Sequence, residues 1–258
     1  PFVGLAGTID HRLLRNGFSA SPGTAVLYGL GTLLALGGGA LMAVVLASAV
    51  GGAGAAGAVL PLVVFAFVWL IWIVGPLLNS SQGDQSIDPS RLELLPLSHS
   101  VQVRGLLVAG LIGPAAVGTF LGAVGAAFAM DLSVPARVGA VLCAVLLVLM
   151  CVAWSRALAA AFAGALNSRR GRDLTVALSG LIGIAIYFAS QRLGTEMASL
   201  STTRSSGGYD LLALLPPAAL WRSLAALKAG DWLLAAGLMV WGAVGIVLAL
   251  YIWRWALA

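Results

Sequence analysis

Residues 23–50 read GTAVLYGLGTLLALGGGALMAVVLASAV, and residues 58–78 read AVLPLVVFAFVWLIWIVGPLL. No charged side chain occurs from Asn16 to Gly83, a run of 68 residues. That is room for two membrane crossings of about 20 residues each, with the turn at Gly51-Gly52-Ala53-Gly54. Working outward, further uncharged windows cover 105–130, 138–155, 174–191 and 232–253. A charge near the bilayer centre costs at least about 2.5 to 3.5 kcal/mol, so the gaps between charges count crossings. The expectation is an all-α, polytopic transmembrane bundle of six spans, in one domain covering 1–258.

Composition agrees with these windows. Of 258 residues, 60% are hydrophobic and 9% charged, where a soluble domain carries about a quarter charged. The mean hydropathy is +1.03. Outer-membrane barrels alternate apolar and polar residues in short strands, whereas these windows are continuously apolar, so the spans are helical. The net charge of +5 and pI near 9.9 would suggest nucleic acid in a soluble chain. Here the arginines stand beside spans, which makes them topology signals and leaves no nucleic-acid partner expected. Cys143 and Cys151 lie about 12 Å apart along one predicted helix, beyond disulfide reach, and read as core residues. The chain begins at Pro1 without a signal-peptide pattern, and a trimmed start is the expectation.

Six crossings put both termini on one side. Arg12, Arg15, Arg91, Arg104, Arg156, Arg169, Arg170, Arg172 and Arg254 share that side; Arg137, Arg192, Arg204, Arg222 and Lys228 fall opposite. The excess places both termini in the cytoplasm of a bacterial plasma membrane. Trp69, Trp72, Trp154, Trp253 and Trp255 cluster at inner span ends and Trp232 opens the sixth, so they read as interface anchors. Segment 1–22 is a cytoplasmic lead-in whose residues 9–18 form a short amphipathic helix. In the extracytoplasmic loop 192–231, Leu220, Trp221, Leu224 and Leu227 share one helical face after Pro216-Pro217, which predicts a helix lying in the outer interface. The fourth span is expected to continue as helix past Arg156 through an uncharged, alanine-rich stretch to Ser168.

The cytoplasmic loop 79–104 carries start and stop signals for a compact helix over 89–95. Asp88 caps it, Pro89 fits its first turn and Pro96 ends it. Arg91 and Glu93 offer charged contacts and Leu92, Leu94 and Leu95 apolar ones. Two readings stand side by side: a docking plug for another protein, or a loop helix packed on its own bundle.

No Asp, Glu, Lys, Arg or His falls in the six windows, which argues against a proton-coupled or sodium-coupled carrier, less firmly for sodium, whose sites can use backbone carbonyls. Metal-ligand spacing and a phosphate-binding loop are both missing from the motif inventory, so no catalysis and no cofactor are expected in this chain. Gly118, Gly122 and Gly125, with Gly37-Gly38-Gly39, read as close helix packing. Gly113-Pro114 predicts a kink in the third span. Thr119, Phe120, Ser179 and Tyr187 are candidate lining of a largely apolar path. Arg169, Arg170 and Arg172 are topology determinants or a site for anionic lipid.

The run Asp88-Pro89-Ser90-Arg91-Leu92-Glu93-Leu94-Leu95-Pro96-Leu97-Ser98 resembles the segment after the second span in membrane permeases of ATP-binding-cassette exporters of the second type, now called type V. Ala165-Leu166-Asn167-Ser168-Arg169-Arg170-Gly171-Arg172-Asp173, Leu215-Pro216-Pro217 and Gly230-Asp231-Trp232 are similar too, so the resemblance covers nearly the whole chain. It implies that 89–95 is a coupling helix docking on separate nucleotide-binding ATPase subunits, which would hold ATP and Mg. It also implies that 9–18 is a connecting helix and 209–229 an outer re-entrant or interfacial segment. Many relatives carry two six-span halves, so a second half or a homodimer copy is the implied partner, together with membrane lipids. The cargo expected is hydrophobic or amphipathic: a drug, lipid or peptide. An ion-coupled carrier and a non-transporting scaffold or immunity subunit are the alternatives.

Overall fold

The computed structural model describes residues 22–51, 55–79, 99–130, 132–166 and 214–256. Among these there are seven helices and no strand. They are α1 (Pro22–Gly51), α2 (Ala55–Asn79), α3 (His99–Ile112), α4 (Pro114–Phe128), α5 (Val134–Leu166), α6 (Pro216–Ala229) and α7 (Trp232–Ala256). Gly29–Ser48 of α1, Val134–Phe162 of α5 and all of α7 are long and apolar enough to cross a membrane, and α3 with α4 makes a fourth if the bent pair counts as one crossing. In α2 the apolar stretch Pro61–Gly75 is shorter. The fifth window, 174–191, lies outside the described residues.

Why α3 and α4 are two helices follows from Pro114. Its ring lacks an N–H and disfavours helical backbone in the residue before it. Gly113 accordingly sits at φ −62°, ψ 153°, and the two helices diverge by 64°. The kink expected there is large enough to break the helix.

Glycine decides how α1 meets α4. A Cβ on Gly39 would collide with the Gly118 carbonyl, and one on Gly118 with the Ala35 carbonyl. At Gly122 it would lie 2.8 Å from the Gly39 carbonyl oxygen, and at Gly125 2.8 Å from the Ala43 Cβ. Partner numbers rise together along this seam, so α1 and α4 run parallel, backbone against backbone. Gly37 and Gly38 take no part, since nothing lies within 4 Å of a Cβ on either.

The pair α5 and α7 is parallel as well. Gly245 lies against Met150, and further along Ala157 and Trp253 share a small buried cluster. Between them α6 runs the other way: Leu220 fills the space over Gly242, Pro216 that over Gly245, and Leu227 that over Gly139. The reversal into α7 is made by Gly230 at φ 79°. The Asp231 N–H returns to the Ala226 carbonyl at 2.9 Å and Gly230 N–H to Leu227 at 3.2 Å, a Schellman closure. Asp231 Oδ1 then caps α7 by accepting the Leu234 N–H at 3.1 Å.

Two expectations need correction. The helix after Pro216-Pro217 does not lie flat in an interface: Leu220, Trp221, Leu224 and Leu227 are all buried against the bundle. Since Gly245 is 13 residues into α7, the start of α6 lies about 20 Å along the bundle from the Trp232 end, a re-entrant position. Prolines at both first positions remove backbone donors that would otherwise need partners at that depth. The tryptophans, second, are mostly internal. Trp253 is 2% exposed, Trp69 packs edge to face on Trp154 and Trp72 is bonded inside the protein. Of those named as anchors, Trp232 and Trp255 are exposed, at 50% and 72%, as anchors would be. Aromatic bodies buried between helices gain packing that the lipid edge does not supply.

Cys143 and Cys151 are buried free thiols, and α5 continues unbroken through Arg156 to Leu166.

Candidate functional site

The face that α2 turns toward the bundle is an aromatic stripe. Phe65, Trp69 and Trp72 recur at i, i+4 and i+7, one side of a helix. Each meets a different element. Phe65 packs on Trp221 of α6 with ring centroids 5.5 Å apart. Trp69 meets Trp154 of α5 at 5.7 Å and 87°. Trp72 Nε1–H donates to Thr119 Oγ1 of α4 at 3.1 Å. The stripe therefore joins α6, the longest helix α5 and the second half of the bent pair, α4. It lies on the helix that leads directly into the segment 79–104.

Polar groups in this interior are few, and most are tied down locally. The Thr119 hydroxyl donates to the Ala115 carbonyl at 2.8 Å while accepting from Trp72. The Ser223 hydroxyl donates to the Leu220 carbonyl at 2.7 Å and lies 2.9 Å from Cys143 Sγ. Both serve as helix-to-helix latches, one between α2 and α4 and one between α5 and α6. The indole N–H groups of Trp69 and Trp154 are buried without a hydrogen-bond partner among the described residues. Among the described residues, buried polar or charged side chains are limited to Thr119, Ser155 and Ser223. No group of three His, Cys, Asp or Glu able to hold a metal occurs among them.

Of the residues singled out from sequence, Gly118 and Gly122 are buried, and with Gly125 they form the α1/α4 seam. Thr119 is 8% exposed and engaged as above, so here it is a packing residue between helices. Phe120 is half-buried against the main core and the Ala116 cluster. Asp88, Arg91, Leu92, Glu93, Leu94 and Leu95 lie outside the described residues, as do Arg169, Arg170, Arg172, Ser179 and Tyr187. The segment 9–18 also lies outside them.

Sequence reading missed the α2 stripe as a core feature. Its signal was the spacing of 65, 69 and 72, which the proximity of those tryptophans to a span end obscured. Arg222 also belongs elsewhere than in a surface loop. Its neighbours Trp221 and Ser223 are buried, and Ser223 meets Cys143, nine residues inside α5.

No family model, curated protein or solved structure matches this chain.

Proposed function

We propose that the chain is the transmembrane permease of an ATP-driven exporter of the ATP-binding-cassette class, working with separate nucleotide-binding ATPase subunits. It moves a hydrophobic or amphipathic molecule across a bacterial plasma membrane. In this reading the bundle has six spans with both termini in the cytoplasm, and a second copy or second half completes the pathway.

The observation that carries the reading is the chemistry of the interior. The buried polar side chains among the described residues are three hydroxyls, with no carboxylate, histidine or lysine to relay a proton. A transporter built this way takes its energy from a partner. The parallel pairing of α1 with α4 and of α5 with α7 supports the reading further. In an alternating six-span order the first and third crossings run one way and the fourth and sixth the other. Direct descent of α2 into 79–104 would let a pull on Pro89–Leu95 reach α4, α5 and α6 through Phe65, Trp69 and Trp72.

Purification of the native complex tests it. An ATPase subunit is expected to accompany the chain, and Leu94→Arg or Glu93→Arg should abolish stimulated ATP hydrolysis while the bundle still assembles. Stimulated hydrolysis that survives either substitution would refute the docking role of 89–95. Transport that persists without ATP and collapses with the proton or sodium gradient would refute the exporter reading itself.

A further inference from the structure

Helix α6 changes character at Arg222. From Pro217 to Trp221 every residue is buried, on all sides of the helix. Beyond that point Arg222, Ala225, Lys228 and Ala229 are exposed. Arg222, Ala225 and Ala229 stand at i, i+3 and i+7 on one face, with Lys228 at its edge. The open strip therefore begins at Arg222 and runs to the Gly230 end of the helix. Above the arginine it is floored by alanines, which leave space along the backbone.

The depth of Arg222 follows from its neighbours. Leu220 lies over Gly242, ten residues or about 15 Å from the start of α7, so Arg222 is level with a point about 12 Å along it. The 25 residues of α7 span about 37 Å against a hydrocarbon thickness of about 30 Å. If all the surplus, about 7 Å, projected at this end, the Arg222 backbone would still lie about 5 Å inside the hydrocarbon. Its Cβ leans toward the N-terminus of α6, which is the deep end, so reaching the surface works against the helix geometry. Among the described residues Arg222 has no ion-pair partner. Asp231, the acidic side chain at this end among the described residues, is turned to the Leu234 N–H.

A guanidinium exposed at that depth, with no counter-charge beside it among the described residues, needs an anion or water there. We infer that the exposed face of α6 is a binding site for the anionic headgroup of an amphiphile, with Arg222 as its inner cation and Lys228 at its mouth. The planar fork of arginine suits the paired oxygens of a phosphate, and the apolar outer surface of the bundle suits an alkyl chain. The headgroup comes from a lipid of the surrounding leaflet or from an amphiphile arriving as cargo. The site extends the exporter reading by giving its cargo a charge sign, but binding itself needs no ATPase, so the two can fail separately.

The experiment uses the full chain in phosphatidylcholine nanodiscs, without ATPase, and a fluorescent dodecyl phosphate as probe. Saturable binding is expected. Arg222→Gln should weaken it at least about tenfold, the scale of one lost charge-assisted contact, with Arg222→Lys in between. Ala225→Leu, which keeps every charge and closes the strip, should weaken it as well. Competition by phosphatidylglycerol in the disc would assign the site to leaflet lipid; its failure to compete would assign it to an amphiphile entering from outside the leaflet. Equal affinity in the native chain, Arg222→Gln and Ala225→Leu would overturn the proposal, as would equal binding of an uncharged dodecyl probe.

Discussion

Glycine has three separate uses in this chain, and substitution by alanine tells them apart. At Gly118 a methyl group would strike the Ala35 carbonyl, so the helices must separate. Gly118→Ala is expected to cost about 2 kcal/mol or more, in the range of overpacking a tight core. At Gly230 the surroundings are open but φ is 79°, and Gly230→Ala should cost about 1 to 2 kcal/mol from backbone strain alone. Gly37 is helical with open space around it, so Gly37→Ala should be neutral or stabilise by up to about 1 kcal/mol. Unfolding in mild detergent would rank the three; a Gly118→Ala protein as stable as Gly37→Ala would contradict the backbone contact. The Thr119 latch makes a comparable prediction. Thr119→Val keeps the shape and removes the acceptor for Trp72, costing about 1 to 3 kcal/mol, whereas Thr119→Ser should retain most of the stability.

Among the elements, α6 carries the most unusual demand, because a 14-residue helix is too short to cross a bilayer yet is buried beside three that pack around it. Its hold is aromatic and aliphatic: Trp221 on Phe65, Leu220 over Gly242, Leu227 over Gly139. Trp221→Ala should destabilise the protein by about 3 to 5 kcal/mol. A cysteine placed at Ser223 should be closed to a membrane-impermeant thiol reagent in the native protein and open in the Trp221→Ala variant. Equal labelling of both would show that the helix is not packed as described. Helices α3 and α4 illustrate how a local signal can be legible while its size is not. The dipeptide Gly113-Pro114 predicts a bend from backbone chemistry alone, but the 64° angle is set by the partners on either side. Gly110 lies against Val152 of α5 in the first half, and Gly118 lies against α1 in the second.

For the molecule as a whole, exposed apolar side chains dominate the outside of the long helices, with Leu33 at 71%, Leu233 at 87% and Val247 at 66%. Such a surface suits lipid and not water. The arrangement of crossings is testable directly. Reporter fusions near residues 85 and 170 should fall on one side of the membrane and one near residue 205 on the other. Matching locations for 85 and 205 would break the six-span order. Charge spacing and apolar length are local quantities, and from them the helical class, the extents of α1, α5 and α7 and the extension of α5 past Arg156 could be read without coordinates. Pairing could not. Whether Trp69, Trp154 and Trp253 meet lipid or one another, whether Gly39 and not Gly37 faces α4, and whether the helix after Pro216 lies on the bundle or enters it are decided by contacts between residues far apart in the chain. In an apolar chain nearly every face is greasy enough to be buried, so hydrophobic pattern does not choose among faces. Close shape fit between distant helices does, and that exists only once the bundle has formed.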